Sequence, residues 1–471
     1  MKTKLCFFDD FYIASRGGTL HRHFRPEKVG EYFDGNLPFM VYTTFFFDER
    51  TDKFRLYYES QLPEQDNTEV RRLMLVEAEN AEDIWSGRVT PVEVQGLDRE
   101  HGVHGCSVAY CPEVEDEERR YIFVGNAHAN DRTKRHLAVG FSSDGVHFSG
   151  LKRVYPDHDF ADYADTYNSV YYNPYTKEYT VTTRCALADR RVAMISSGDG
   201  EKWSEPRLLM HPTNTASWGV QHYALGVSRL DGIFYGLLWR YMTDITTSDL
   251  SDMYGYMDND LLYSYDGVCF APAGAAPICE RPLPPEFGCK QLDLLNICED
   301  RNGDYLICGS GTNICHGQKY DADECFALAV FYRIRKDGFT SLEGFGENSN
   351  LVTKPLIYGG GESYVNVNTL GGVLSFEIQD RFGDAIEGFG FDDCIAISGK
   401  DSVCEELCFK EHSMNELKDK QIRFAFKLDN VLIYSLTFDG RPRLHPYFGQ
   451  RGYQEHTICC PDTPPEKRNK R

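Results

Sequence analysis

The sequence predicts an all-β protein, a five-bladed β-propeller followed by a C-terminal β-sandwich, on three observations. A hairpin pattern recurs along most of the chain. Turns of the form S-x-D-G follow three of its copies. Past about Leu351 the repeat gives way to "YVNVNTLGGVLSFEIQD", "QIRFAFKLD" and "VLIYSLTF", which alternate at period two as a sandwich would.

The hairpin is plainest in "DTYNSVYYNPYTKEYTVTTR", where the polar turn "NPYTKE" separates two apolar strands and leaves Asp165 and Arg184 at the same edge. The same arrangement recurs in "YTTFFFDERTDKFRLYYES", "SVAYCPEVEDEERRYIFVGN", "ALGVSRLDGIFYGLLWR" and "LLNICEDRNGDYLICGS". The turns open near Asp48, Glu113, Asn173, Leu230 and Glu299, at spacings of 65, 60, 57 and 69 residues. A third strand follows each hairpin ("RLMLVEA", "HLAVGFSS", "RVAMISS", "DLLYSYDG", "ALAVFYRI"), and a fourth fits in "LKRVYP" or "LLMHP". In "SSDGVHF", "SSGDGEKW" and "SYDGVCF", Asp144, Asp199 and Asp266 are turn formers; "RKDGFTSL" is a weaker copy. Asp48, Glu115 and Asp304 are expected to be solvated turn residues. The N-terminal "KLCFFDDFYIA" is expected to complete the last blade and close the ring. Domains are expected at 1–350 (propeller), 351–440 (sandwich) and 441–471 (a partly disordered extension).

Composition narrows the function. A net charge of −22 argues against nucleic acid or a membrane surface as partner. Sixteen scattered cysteines without a C-x-x-C pair, and a start without a signal-like apolar stretch, point to free thiols in the cytoplasm. Aromatic residues make up 13% of the chain and suit both strands and sugar-stacking surfaces. No pattern calls for a cofactor or a metal. The sandwich is expected to pack on the propeller or to supply the contact of a homo-oligomer.

In a propeller the start of each first strand lies at one end of the central channel, beside the end of strand two and the start of strand three. That rim collects Asp34, Asp98, Glu100, His101, His104, Asp162, Asp165, Trp218, Gln221, His222, Lys290 and Asp293, joined by Glu59, His128, Arg184, Arg240, Asp258 and Asp260. Glycosidic cleavage needs one carboxylic acid to protonate the leaving oxygen and one carboxylate to attack or to activate water. The carboxyl candidates are Asp34, Glu59, Asp165 and Asp260. The candidates for holding the sugar are His101, His104, Arg184, Trp218, Gln221, His222 and Asp293. Pairing with Arg184 would keep Asp165 ionised, as a base, nucleophile or electrostatic helper needs.

Through "DTYNSVYYNPYTKEYTVTTR", "NDLLYSYDGVCF", "YRIRKDGFTSL" and the stretch from "TKPL" to "VNVNTLGGVLSFEIQDRFGDAIEGF", the chain resembles the five-bladed-propeller glycoside hydrolases. This group includes invertases, levanases, arabinanases and β-xylosidases, and the resemblance is nearest to an invertase-like branch. It implies an Asp base or nucleophile in blade one, matched by Asp34, and an Asp helper in blade three, matched by Asp165. The Glu acid implied in blade four is replaced by Gln221, and the W-M-N-D-P-N-G and R-D-P patterns are absent. The expected activity is hydrolysis of a terminal sugar, such as a fructoside or arabinoside, from a small carbohydrate. A phosphate-dependent phosphorylase using Arg184, Arg190, Arg191 and Lys290, and a non-catalytic carbohydrate-binding propeller, are the alternatives.

Overall fold

A computed structural model of the protein describes residues 2–33, 39–60, 71–97, 102–127, 136–155, 164–186, 190–210, 220–243, 255–274, 277–318 and 325–442. They divide into two compact units, 26–334 without the turn 231–233, and 1–25 with that turn and the chain from 335 onward.

The first unit is the five-bladed propeller. Blade one runs Val41–Asp48, Lys53–Ser60, Arg72–Ala78, Arg88–Pro91; blade two, Val103–Tyr110, Tyr121–Ala127, His136–Ser142, His147–Arg153. Blade three is Ser169–Asn173, Glu178–Ala186, Arg190–Ser197, Arg207–Met210, and blade four Val220–Leu230, Ile233–Thr243, Gly255–Ser264, Ala271–Pro272. Blade five takes Gln291–Glu299, Tyr305–Thr312 and Ala327–Ile334 from one end of the unit and Glu27–Tyr32 from the other. The five inner strands adjoin one another in cyclic order, the fifth returning to the first, so the ring is closed. Blades stack face to face, so second strands such as Tyr121–Ala127 are buried on both sides and read as unbroken apolar runs.

The closing strand differs from the expected one. Glu27–Tyr32 pairs antiparallel with the third strand of blade five, Tyr32 opposite Ala329 and Glu27 opposite Arg333. Lys2–Cys6 pairs instead with Val431–Pro442 in the second unit. An outermost strand buries little, and "EKVGEY" is correspondingly polar, whereas the apolar "KLCFF" has two faces to bury.

Side chains tie each inner strand to the next. Ser107 Oγ accepts from Val170 N (3.0 Å), Ser169 Oγ from Val227 N (3.0 Å), Ser228 Oγ from Ile297 N (2.9 Å) and Asn296 Oδ1 from Phe45 N (3.0 Å). Between blades one and two, Glu59 Oε1 accepts from Cys106 N at 2.7 Å. The S-x-D-G boxes are turns as expected: Asp144, Asp199 and Asp266 each accept two successive backbone N–H groups at 2.7–2.9 Å. Asp48 is not solvated. It is fully buried against Arg55 (3.0 Å) and the Tyr121 hydroxyl (2.6 Å), because blade two covers its turn.

In the second unit eleven strands form one hydrogen-bonded network. Leu356–Asn368 pairs with Val431–Pro442 from its first residue, where Gln421–Asp429 also pairs with it, and the register with Val431–Pro442 breaks between Tyr358 and Ser363. Gly360 and Gly361 (φ 93° and 82°) allow that corner. Across it Phe424 meets Phe438, ring centroids 5.8 Å apart. The boundary therefore lies at Arg335 rather than 350: "RKDGFTSL" belongs to this unit, its strand Thr340–Gly344 lying between Thr19–His23 and Val431–Pro442. Residues 443–471 lie outside the described residues.

Asn296→Ala leaves the Phe45 N–H buried without an acceptor. It should destabilise the propeller by about 1–3 kcal/mol, read as a lower urea midpoint; an unchanged midpoint would mean that the tie is dispensable.

Candidate active site

The rim of the ring is built from the first residues of the inner strands. Tyr42 begins blade one, His104 blade two, and Asp165 and Tyr167 precede blade three. His104 Nε2 lies 2.8 Å from Asp165 Oδ1, and an Arg71 Nη1 lies 3.3 Å from His104 Nδ1. A guanidinium only donates, so His104 carries its lone pair on Nδ1 and its proton on Nε2, directed at Asp165. The Tyr42 hydroxyl is 3.4 Å from the same nitrogen. Tyr42 holds φ at +51°, a costly conformation for a residue with a bulky side chain, and it falls where the register of blade one breaks.

Asp165 and Arg184 come together as the hairpin predicts, Arg184 Nη1 lying 3.7 Å from Asp165 Oδ2. Asp165 is more than half exposed; Arg184 is mostly buried, its guanidinium 4.9 Å from the centroid of the Tyr223 ring. On the other strand of that blade Arg190 packs over Tyr223 and Tyr241 (5.5 and 4.9 Å) and donates to Gln221 Oε1 at 3.1 Å.

Below these groups lies a stack of rings. Tyr42, Tyr167 and Trp239 are mutually near-parallel with centroids 6.1–6.4 Å apart, and Tyr223 stacks on Trp239 at 5.8 Å. Trp239 is anchored by its indole N–H to Leu294 O (2.9 Å). Residues from blades one, three and four thus meet in a packed aromatic cluster beside polar groups. Tyr167, Tyr223 and Trp239 are buried in it and Tyr42 is partly exposed, an aromatic of the kind that sugar rings stack on.

The remaining candidates separate. Glu59 is fully buried; beyond the Cys106 N–H it accepts the Cys106 thiol at 2.9 Å, and Arg71 lies 3.7 Å away. It is a tie between blades rather than a group presented to a ligand. Asp260 sits on the third strand of blade four and is ion-paired with Arg240 (3.0 Å), which also holds Asp258 (2.8 Å). Burial raises its carboxyl to about 6, against the pull of Arg240 and with a contribution from Asp258. Asp293, on the inner strand of blade five, is buried with Oδ1 unbonded among the described residues, and burial pushes it up to about 8. His222 is buried at the start of blade four. Asp34, His101 and Trp218 lie outside the described residues. Among the described residues no group of three His, Cys, Asp or Glu is placed to hold a metal ion.

Sequence reasoning missed Arg71, Tyr42, Tyr167, Tyr223 and Trp239. Tyr167, Tyr223 and Trp239 stand within two residues of the predicted rim positions Asp165, His222 and Arg240, and "VQHY" and "DTY" carry their aromatics in plain sight. What no motif reveals is that rings from three blades converge.

No family model matches the chain, and no curated protein matches it. Solved structures do. One is an N-acetylgalactosamine deacetylase from F. plautii in complex with blood group B trisaccharide (12% identity, 68% of this chain and 96% of that chain, TM-score 0.42). Another is an α-L-arabinofuranosidase from Podospora anserina in complex with cellotriose (11% identity, 67% and 98%, TM-score 0.44). A third comes from work on the GH130 family of mannoside phosphorylases, said to contain glycoside hydrolases that target β-1,2 mannosidic linkages in Candida mannan (11% identity, 66% and 94%, TM-score 0.43). The likeness is one of fold, and the five blades stand on the strand ring itself.

Asp293 gives a stability test. Its folded value, about 8, lies above the unfolded value near 3.8, so the stability it contributes is full at low pH and is lost as pH rises through 8. Asp293→Asn removes that loss. The melting temperature of the variant relative to wild type should climb between pH 5 and pH 8.5; parallel melting curves would show that Asp293 is not a protonated buried acid.

Proposed function

We propose that the rim is the active site of a glycosidase acting on a terminal sugar of a small carbohydrate. The observation that carries this is the pairing of Asp165, held by His104 beside Arg184, with an aromatic floor at the same end of the ring. The ring face of a sugar stacks on Tyr42, the partly exposed member of the ring cluster. Asp165 serves as the ionised carboxylate, and His104 fixes its orientation through the Nε2 proton. The acid role falls to Asp293, which lies near the rim end of an inner strand and keeps its proton at neutral pH. Asp293 thereby replaces the glutamate that blade four lacks. The described cysteines, free and many of them buried, support a reducing cytoplasm as the enzyme's compartment.

A panel of aryl furanosides and pyranosides tests the reading. Hydrolysis of one sugar class should fall by at least about 100-fold in Asp165→Asn and in Asp293→Asn. Because the acid works protonated, activity should fall as pH rises past about 8. A basic limb near 6, with Asp260→Asn the damaging change, would move the acid to Asp260. Full activity in Asp165→Asn would sink the proposal.

A further inference from the structure

Arg184 and Arg190 form a feature that cleavage of a neutral sugar does not use. Both guanidiniums lie against one ring, Tyr223, at 4.9 and 5.5 Å. Two like charges on neighbouring strands repel, and burial strengthens the repulsion. Their donors are also underused: Arg184 Nε and Nη2 and Arg190 Nε are buried without an acceptor among the described residues. A buried donor left unmade is costly, more so on a charged group. Among the described residues the carboxylate recorded beside Arg184 is Asp165, which stands 3.7 Å away, beyond hydrogen-bond reach, and is engaged by His104 at 2.8 Å.

Gln221 sharpens the point. Its Oε1 faces the Arg190 main-chain N–H (3.3 Å) and Nη1 (3.1 Å). The rest of that amide is an NH2 group, a further donor. A glutamate at this position would pair with Arg190 and cancel its charge; the glutamine anchors the guanidinium and leaves the charge intact. In a protein of net charge −22 this is a local concentration of positive charge and N–H donors.

We propose that Arg184, Arg190 and Gln221 form a subsite for an oxyanion, either the carboxylate of an acidic sugar or inorganic phosphate. Arg forks suit both, since each offers paired oxygens to two N–H groups. The assignment rests on the rim being a carbohydrate site, and it names the charge of what that site accepts.

Calorimetric titration of the full chain at pH 7 tests it, with D-glucuronate, D-galacturonate and inorganic phosphate as probes and glucose and galactose as neutral controls. At least one oxyanion should bind at least about tenfold more tightly than the neutral sugars. Arg184→Met, Arg190→Met and Gln221→Glu should each weaken it by about tenfold or more. Gln221→Glu is the deciding variant should either methionine variant fail to fold, because it is isosteric and acts by neutralising Arg190. Preference for a uronate makes the anion part of the sugar; preference for phosphate makes it a separate co-substrate. Equal binding of acidic and neutral sugars, no binding of any oxyanion, or wild-type oxyanion binding in Gln221→Glu overturns the proposal. Hydrolysis of neutral glycosides without oxyanion binding would remove this subsite and leave the glycosidase standing. Oxyanion binding without turnover of any glycoside would do the reverse.

Discussion

The hydrogen bonds that pass from each inner strand to the next hold the ring together. An inner strand is the edge of its blade, so part of its backbone has no ladder to join. In this propeller the preceding blade supplies the acceptor, from Ser107, Ser169, Ser228 or Asn296, and from Glu59 at the remaining junction. The ties propagate through adjacent residues. Ser169 accepts from blade four while Val170 donates to blade two, so no blade can turn without its neighbours. His104 stands three residues before Ser107, Asp293 three before Asn296 and Asp165 four before Ser169. At about 3.3 Å per residue, each lies within roughly 10–13 Å of a fixed point.

That rigidity lets the channel be plugged and the carboxyls above it be tuned. Tyr42, Tyr167, Trp239 and Tyr223 fill the space between blades with apolar surface, and Trp239 and Asn259 converge on the single carbonyl of Leu294 to hold it. Carboxyls placed in such surroundings diverge according to their partners. Asp260 shares Arg240 with Asp258, whereas Asp293 has burial alone. Only the last is pushed as far as about 8, because nothing offsets the loss of water.

The repeat was legible because turn chemistry is local: Asp-Gly boxes and the "NPYTKE" turn declare themselves without tertiary help. The closing strand was not, since "EKVGEY" looks like loop until a blade edge receives it, while the apolar "KLCFF" fits any buried strand. The Asp165–Arg184 pair follows from one hairpin and was predictable. The Asp165–His104 bond spans two blades, and sequence offers no measure of that distance. Glu59 shows the same limit from the other side. A carboxylate at a strand end beside the rim is a fair candidate, and only the bulk of Cys106 and its N–H, brought in by blade two, turns it into a tie.

In the proposed site Gln221 and Asp293 fit together. A glutamate in blade four would supply the proton for the leaving group, yet beside Arg190 it would sit as a paired carboxylate with its proton lost more readily. An acid near a guanidinium is a poor donor at neutral pH. Replacing it by an amide keeps Arg190 positive and frees it for an anionic ligand, but it removes the proton source from that blade. The proton must then come from a carboxyl remote from the arginines and short of partners, the description that Asp293 meets. The proposed oxyanion subsite in blades three and four and the proposed acid in blade five are therefore compatible, and each is tested by itself. On that proposal, the charge of the ligand accounts for a glutamine where the resemblance implies a glutamate.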